Sequence, residues 1–242
     1  MPLTVHLFPC LSDNYGFLIR DAATGEVACV DTPDADRVLE ELEGLGWGRL
    51  DLILNTHWHP DHTQGNAAVQ GATGARIVGP AEVARAAPLD QTVVGGDRVA
   101  LGQTTFEVTE TPGHTLGHIV YRSVADDIAF VGDTLFPLGC GRLFEGTPEQ
   151  MFDSLRTLAA WPDRTELYGA HEYTAANARF ALSLSDDPDL RAHAEAIFAA
   201  CEAGRPTVPT TLDVEKRFNP FLTAPDAAVF AERRAAKDAF RG

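Results

Sequence analysis

The sequence predicts a mixed α/β domain followed by a helical appendage. Three observations carry that expectation. Short β-rich runs bounded by turn residues recur through the first 172 residues. Helix start signals are interleaved with them, which favours an α/β arrangement. After His171 the strand signals fade and alanine dominates. The expected boundaries are 1–172 for the mixed domain and 173–242 for the helical one.

In chain order, Thr4–Phe8, Tyr15–Arg20 and Val27–Val30 read as strands separated by Asp13-Asn14 and Thr24-Gly25 turns. Thr32-Pro33 reads as a helix cap and first helical residue, ahead of the apolar stripe Val38, Leu39, Leu42 and Leu45, with Gly46 as the stop. Leu50–Leu54 reads as a buried strand, and further strands are expected at Arg76–Val78, Arg98–Leu101, Thr104–Thr109, Ile119–Arg122 and Ile128–Val131. Thr147-Pro148-Glu149-Gln150 is a capping box before Met151, Phe152, Leu155 and Leu158. Thr165–Tyr168 is the last expected strand. Helices are then expected over Pro188–Ala203 and Pro225–Phe240, joined by a proline-bearing connector, Arg205–Pro220.

Composition excludes several function classes. Apolar residues are 45% and charged residues 22% of 242, which suits a folded domain. The net charge of −16 opposes binding to nucleic acid or to anionic lipid, both of which need a basic surface. No apolar run approaches the ~18 residues that span a bilayer. The first basic residue is Arg20, so a secretory start is not expected, and the reading is a cytoplasmic monomer without membrane or nucleic-acid partners. Cys10, Cys29, Cys140 and Cys201 form no CxxC pair and read as free thiols. The basic residues gather late: Asp213–Gly242 holds six of them and both lysines of the chain.

The chemistry concentrates in Thr56-His57-Trp58-His59-Pro60-Asp61-His62, just past a predicted strand. Imidazoles and a carboxylate crowded this closely make a poor core and good nitrogen and oxygen donors to divalent cations. His114, Asp133 and His171 each follow a further predicted strand, where loops can converge. Seven donors with one shared carboxylate suffice for two four-coordinate ions. No Ser-His-Asp arrangement stands out. His118, four residues after His114, is a candidate for orienting a ligand. His6 and His193 read as structural or exposed.

H-x-H-x-D-H followed by His114, Asp133 and His171 resembles the metallo-β-lactamase superfamily. Within it the chain resembles the glyoxalase II (hydroxyacylglutathione hydrolase) family, through Leu11-Ser12-Asp13-Asn14-Tyr15, Thr111-Pro112-Gly113-His114-Thr115, Gly132-Asp133-Thr134-Leu135-Phe136, Gly139-Cys140-Gly141-Arg142, Glu145-Gly146-Thr147, His171-Glu172-Tyr173-Thr174 and Asn219-Pro220-Phe221. The resemblance implies an αββα sandwich with a C-terminal helical domain. It implies two divalent ions, zinc before iron or manganese. His57, His59 and His114 would hold one ion and Asp61, His62 and His171 the other, with Asp133 bridging. It also implies glutathione contacts at Arg142, Tyr173, Arg234 and Lys237. Arg234 and Lys237 share a face of the last predicted helix. Phe144 stands where the family often has tyrosine.

The implied reaction is hydrolysis of S-D-lactoylglutathione to glutathione and D-lactate by a hydroxide at the binuclear centre, with no catalytic side chain beyond the one that holds it, Asp133. Two other readings compete. A persulfide dioxygenase of the same superfamily would use one iron and fewer ligands. A non-catalytic metal-binding protein would more often use cysteine donors. A β-lactamase or nuclease of this fold fits the C-terminal pattern less well.

Overall fold

A computed structural model describes residues 3–242. The chain divides into two compact units, one of residues 1–110 and 117–132, the other of residues 111–116 and 133–242.

The first unit opens with the hairpin β1 (Leu3–Cys10) and β2 (Asn14–Asp21), followed by β3 (Val27–Val30). α1 (Ala35–Gly44) leads to β4 (Leu52–Leu54). α2 (Pro60–Thr63) and α3 (Asn66–Thr73) lead to β5 (Arg76–Gly79), and a 3-10 turn (Ala81–Arg85) leads to β6 (Gln91–Thr92). These strands make one sheet in the order β1-β2-β3-β4-β5-β6. β3, β4, β5 and β6 run parallel, with Ala28 opposite Leu52 and Leu52 opposite Arg76. Parallel neighbours need crossovers on a face of the sheet, and α1 and α3 supply them. Val38, Leu42 and Val69 of these helices pack on Cys29, Ile53 and Ile77 of the strands.

β7 (Arg98–Leu101), β8 (Thr104–Glu110), β9 (Ile119–Ser123) and β10 (Ile128–Gly132) form an antiparallel set in the order β7-β8-β9-β10. It lies face to face with the first sheet. The rings of Phe17 on β2 and Phe130 on β10 are 5.5 Å apart, and Phe106 on β8 is 6.3 Å from Phe130. Tyr121 on β9 reaches across and donates its hydroxyl to the carbonyls of Asn55 (3.0 Å) and Val78 (3.3 Å). Phe130→Ala, which opens a cavity between two sheets, is expected to cost about 3–5 kcal/mol, read from the denaturant midpoint.

The second unit holds the hairpin β11 (Leu135–Phe136) and β12 (Gly139–Cys140), then α4 (Pro148–Ala159), β13 (Glu166–Gly169), α5 (Thr174–Leu184), α6 (Pro188–Glu202), β14 (Thr210–Thr211), α7 (Leu212–Phe218) and α8 (Ala227–Ala239). β13 pairs antiparallel with β14. The alanine bias has a packing role: Ala178 and Ala181 of α5 meet Leu190, Ala194 and Ile197 of α6 around the fully buried Leu138. Phe152 of α4 lies against Phe230 of α8, 6.2 Å between rings tilted by 55°. Among the described residues no helix is long and apolar enough to cross a membrane.

Most predicted elements are present, including the capping box at Thr147 and Gln150. Two expectations need correction. Asp34, not Thr32, caps α1 by accepting from Arg37 N–H. Thr32 is occupied elsewhere: its N–H donates to the His62 carbonyl and its hydroxyl to Asn66 Oδ1 at 2.6 Å. The connector 205–220 contains β14 and α7. A seven-residue helix has little intrinsic signal and forms here because Leu212 and Glu215 are buried.

Candidate metal centre and substrate cavity

In the first unit, the parallel strands β3 and β4 end at Asp31 and at Asn55-Thr56-His57. Carboxyl ends of parallel strands are where α/β sheets usually carry their ligands. His57, His59, Asp61 and His62 fall together there. His57 Nε2 and His59 Nδ1 are 3.1 Å apart, the His57 and His62 rings 4.0 Å apart, and His62 Nε2 lies 3.6 Å from Asp61 Oδ2. Pro60 starts α2, which turns the chain sharply enough to bring Asp61 and His62 back beside His57.

Asp31 organises this group, and the sequence reading missed it. It is a buried non-glycine at φ 56°. Oδ1 accepts Thr56 N–H at 2.8 Å, and Oδ2 accepts the Thr56 hydroxyl and His62 Nδ1–H, both at 2.8 Å. The carboxylate therefore fixes the His62 tautomer that leaves Nε2 as the donor atom. With its proton on Asp31, Thr56 Oγ1 accepts from His57 Nδ1 at 3.0 Å, which turns His57 Nε2 inward by the same logic. The one signal for Asp31 was its place directly after a strand, the feature His114, Asp133 and His171 also carry.

His118 is buried and stacks on His57, 4.8 Å between rings. Gly132, at φ 49°, leaves room for it: a Cβ there would sit 2.7 Å from Thr56 Oγ1 and 2.8 Å from His118 Nε2. His118 is thus a wall of the group.

In the second unit, Asp133 stands between two imidazoles. His114 Nε2 is 3.3 Å from Oδ2 and His171 Nε2 is 3.4 Å from Oδ1, so each oxygen faces one ring. His114 Nδ1–H donates to the Arg142 carbonyl at 2.8 Å, again leaving Nε2 as the donor atom. Gly141 permits that approach, since a Cβ there would fall 3.1 Å from His114 Nδ1 and 2.0 Å from the Asp133 carbonyl oxygen. His171 is stacked flat on Tyr173, 4.8 Å between rings and 2° from parallel.

Beside these three residues the same unit has a cavity of about 440 Å³, lined among others by Phe136, Cys140, Arg142, Tyr173, Arg234 and Lys237. All four sequence-predicted substrate contacts line it. They differ in character. Arg142 is exposed and 3.9 Å from Asp238. Arg234 is buried, donating Nη1 to the Cys140 carbonyl and Nη2 to Asp238 Oδ1. It braces the wall as well as adding charge. Lys237 donates to the Ala176 carbonyl at 2.8 Å. Phe144 is exposed, with its ring 5.2 Å from His114.

Residues 17–171 match the metallo-beta-lactamase superfamily and residues 172–240 match the hydroxyacylglutathione hydrolase C-terminus. A hydroxyacylglutathione hydrolase of Maricaulis maris is 50% identical, over 98% of this chain and 99% of that one. The chain belongs to the hydroxyacylglutathione hydrolase family. Another member, from Erythrobacter litoralis, is 49% identical over 98% of this chain and all of its own length. Among solved structures, ETHE1 from Myxococcus xanthus is similar at a TM-score of 0.75 and 30% identity, covering 97% of this chain and 90% of that one. The BLEG-1 B3 metallo-beta-lactamase, at 0.72 and 21%, covers 91% of this chain and all of its own length, and shares the fold. The hydrolase family thus has here the αββα metallo-β-lactamase fold with a helical C-terminal region. Its histidine and aspartate groups suit divalent cations.

Proposed function

We propose that this enzyme hydrolyses S-(2-hydroxyacyl)glutathione thioesters, S-D-lactoylglutathione first among them, to glutathione and a 2-hydroxy acid. One observation carries the reading: an aspartate flanked by two tautomer-fixed or stacked imidazoles opens onto a cavity lined by cations, in a chain whose relatives are hydroxyacylglutathione hydrolases over their full length. That family membership does not favour a mononuclear-iron dioxygenase or a metal-binding protein without catalysis.

We assign residues 1–172 to a catalytic domain and 173–242 to a helical domain that contributes to glutathione binding. The donor set fits a pair of divalent ions, zinc first. His57, His59 and His114 would hold one ion and Asp61, His62 and His171 the other, with Asp133 shared. Every donor is a neutral nitrogen or a carboxylate oxygen, and Asp31, Thr56 and the Arg142 carbonyl take the outward protons of His62, His57 and His114. Such ions supply a nucleophilic water at neutral pH and a positive field for the carbonyl oxygen.

The protein's own residues do the rest. Arg142 and Lys237 present charge to the anionic tripeptide, against a net charge of −16 whose field is screened beyond about 8 Å. Arg234 holds the wall through Cys140. Phe136 and Phe144 give the acyl end an apolar border. The leaving thiol has an ordinary pKa near 8.5, so it departs without a dedicated acid. We also propose a cytoplasmic monomer that engages no membrane or nucleic acid.

Two measurements follow. Turnover of S-D-lactoylglutathione should be present in metal-replete protein and vanish with a chelator; replete protein that leaves the thioester intact refutes the reading. The second is a pH profile. Burial first, then the Arg234 and Arg142 guanidiniums, push the Lys237 ammonium down to about 8. A cation with a lowered value keeps its charge below that pH and loses it above. KM should therefore climb as pH rises through 8, and Lys237→Arg, charged throughout, should flatten the climb. An identical climb in both proteins contradicts the role given to Lys237.

A further inference from the structure

The β11–β12 hairpin and its continuation to Arg142 form one wall of the cavity, through Phe136, Cys140 and Arg142. Strands of two residues cannot hold such a turn unaided. The tip contains Leu138, a buried non-glycine at φ 56°, a conformation that a branched side chain keeps only when its surroundings enforce it.

α7 enforces it. Glu215 Oε2 accepts Leu138 N–H at 2.8 Å and Asn219 Nδ2 at 2.9 Å, while Oε1 accepts the Thr210 hydroxyl at 2.7 Å. Asn219, one turn on, donates Nδ2 to the carbonyls of Phe136 (3.3 Å) and Gly139 (2.9 Å). One carboxylate and one amide thus pin the backbone on both sides of the tip. Glu215 is fully buried, and its hydrogen-bond partners Leu138, Thr210 and Asn219 are not metal-ligand candidates. Nothing in the reaction uses it.

We propose that Glu215 is a positioning residue for substrate binding: with Asn219 it clamps the 135–140 hairpin in the conformation that builds the cavity wall. The proposal rests on reading that cavity as the thioester site. The segment beyond the hairpin is tied down separately. Phe144 and Glu145 donate their N–H groups to the His114 carbonyl at 3.2 and 3.3 Å, and Gly146 N–H donates to Gly113 O at 3.1 Å. Releasing the tip therefore changes the wall and leaves His114 in place.

The clamp needs acceptors rather than charge. Burial raises the Glu215 carboxyl to about 7, while the Thr210, Asn219 and Leu138 hydrogen bonds oppose that rise; no charged group is among the causes. When protonated at Oε1 it can donate to Thr210 Oγ1 and still accept at Oε2. Glutamine reproduces that arrangement, with Oε1 accepting from Leu138 and Asn219 and Nε2 donating to Thr210.

The test compares metal-loaded wild type, Glu215→Ala and Glu215→Gln for turnover of S-D-lactoylglutathione and for metal content. Glu215→Ala should raise KM about tenfold with kcat within about threefold and metal content unchanged, and Glu215→Gln should stay within about twofold of wild type. Should Glu215→Ala not accumulate as folded protein, Asn219→Ala probes the clamp from the donor side and should raise KM about threefold. An unchanged KM in the alanine variant that folds, a glutamine variant as impaired as alanine, or metal loss parallel to activity loss overturns the proposal. An inactive wild type overturns the functional reading, and this proposal with it. An active wild type with indifferent alanine variants overturns the proposal alone.

Discussion

Asp133→Ala is expected to lose metal and turnover together, with kcat/KM falling about a thousandfold or more, equivalent to about 4 kcal/mol of lost transition-state stabilisation. Its two oxygens face two different imidazoles at 3.3 and 3.4 Å, so alanine would take a donor from each of the two proposed ions at once and leave two buried rings turned toward an apolar gap. Asp133→Asn keeps the volume but lacks the charge and the second acceptor oxygen, so it should fall nearly as far. Elemental analysis beside steady-state kinetics checks this. Full turnover in Asp133→Ala would contradict the shared role proposed for this carboxylate.

Asp31→Ala is expected to be the next most damaging change, through two effects that separate experimentally. The carboxylate accepts from Thr56 N–H, the Thr56 hydroxyl and His62 Nδ1–H, all in a buried place. Stranding such donors costs about 1–3 kcal/mol each, so the unfolding midpoint should drop markedly. Freeing the outer nitrogen of a metal-binding histidine typically lowers metal affinity about 10- to 100-fold. Asp31→Asn tolerates the positive φ and keeps one acceptor oxygen, so it should recover most of the stability. Its amide cannot accept from both Thr56 and His62 as the carboxylate does, so metal affinity should recover less. Equal recovery of both would show that Asp31 serves the fold alone.

The contrast between Asp133 and Asp31 shows what could be read from the chain. The convergence of His57, His59, Asp61 and His62 was legible because a strand end and Pro60 make a local problem: candidate donors within six residues come together through one turn. His114, Asp133 and His171 were legible because each follows a strand with glycine nearby, and five histidines with two aspartates are hard to explain as packing. Asp31 has the same placement after β3, yet a single acid after a strand is commonplace. Its meaning lies in the Thr56 and His62 partners that the parallel β3–β4 pairing supplies, and parallel pairing leaves no local mark on the sequence.

The fold divides in the same way. Strands with β-branched runs, such as Ile119–Ser123 and Ile128–Gly132, were visible within a residue or two. α7 was not, because Leu212 and Glu215 owe their helical state to burial. The C-terminal cations were visible as charge, but Arg234 as a brace under Cys140 was not, since that contact joins residues 94 apart.

A paired-ion hydrolase built from seven side chains is tested most directly by titrating metal-free protein with zinc while following hydrolysis of S-D-lactoylglutathione. Activity should rise to its maximum as two equivalents per chain are bound. Full activity at one equivalent, or in protein that binds none, would contradict it.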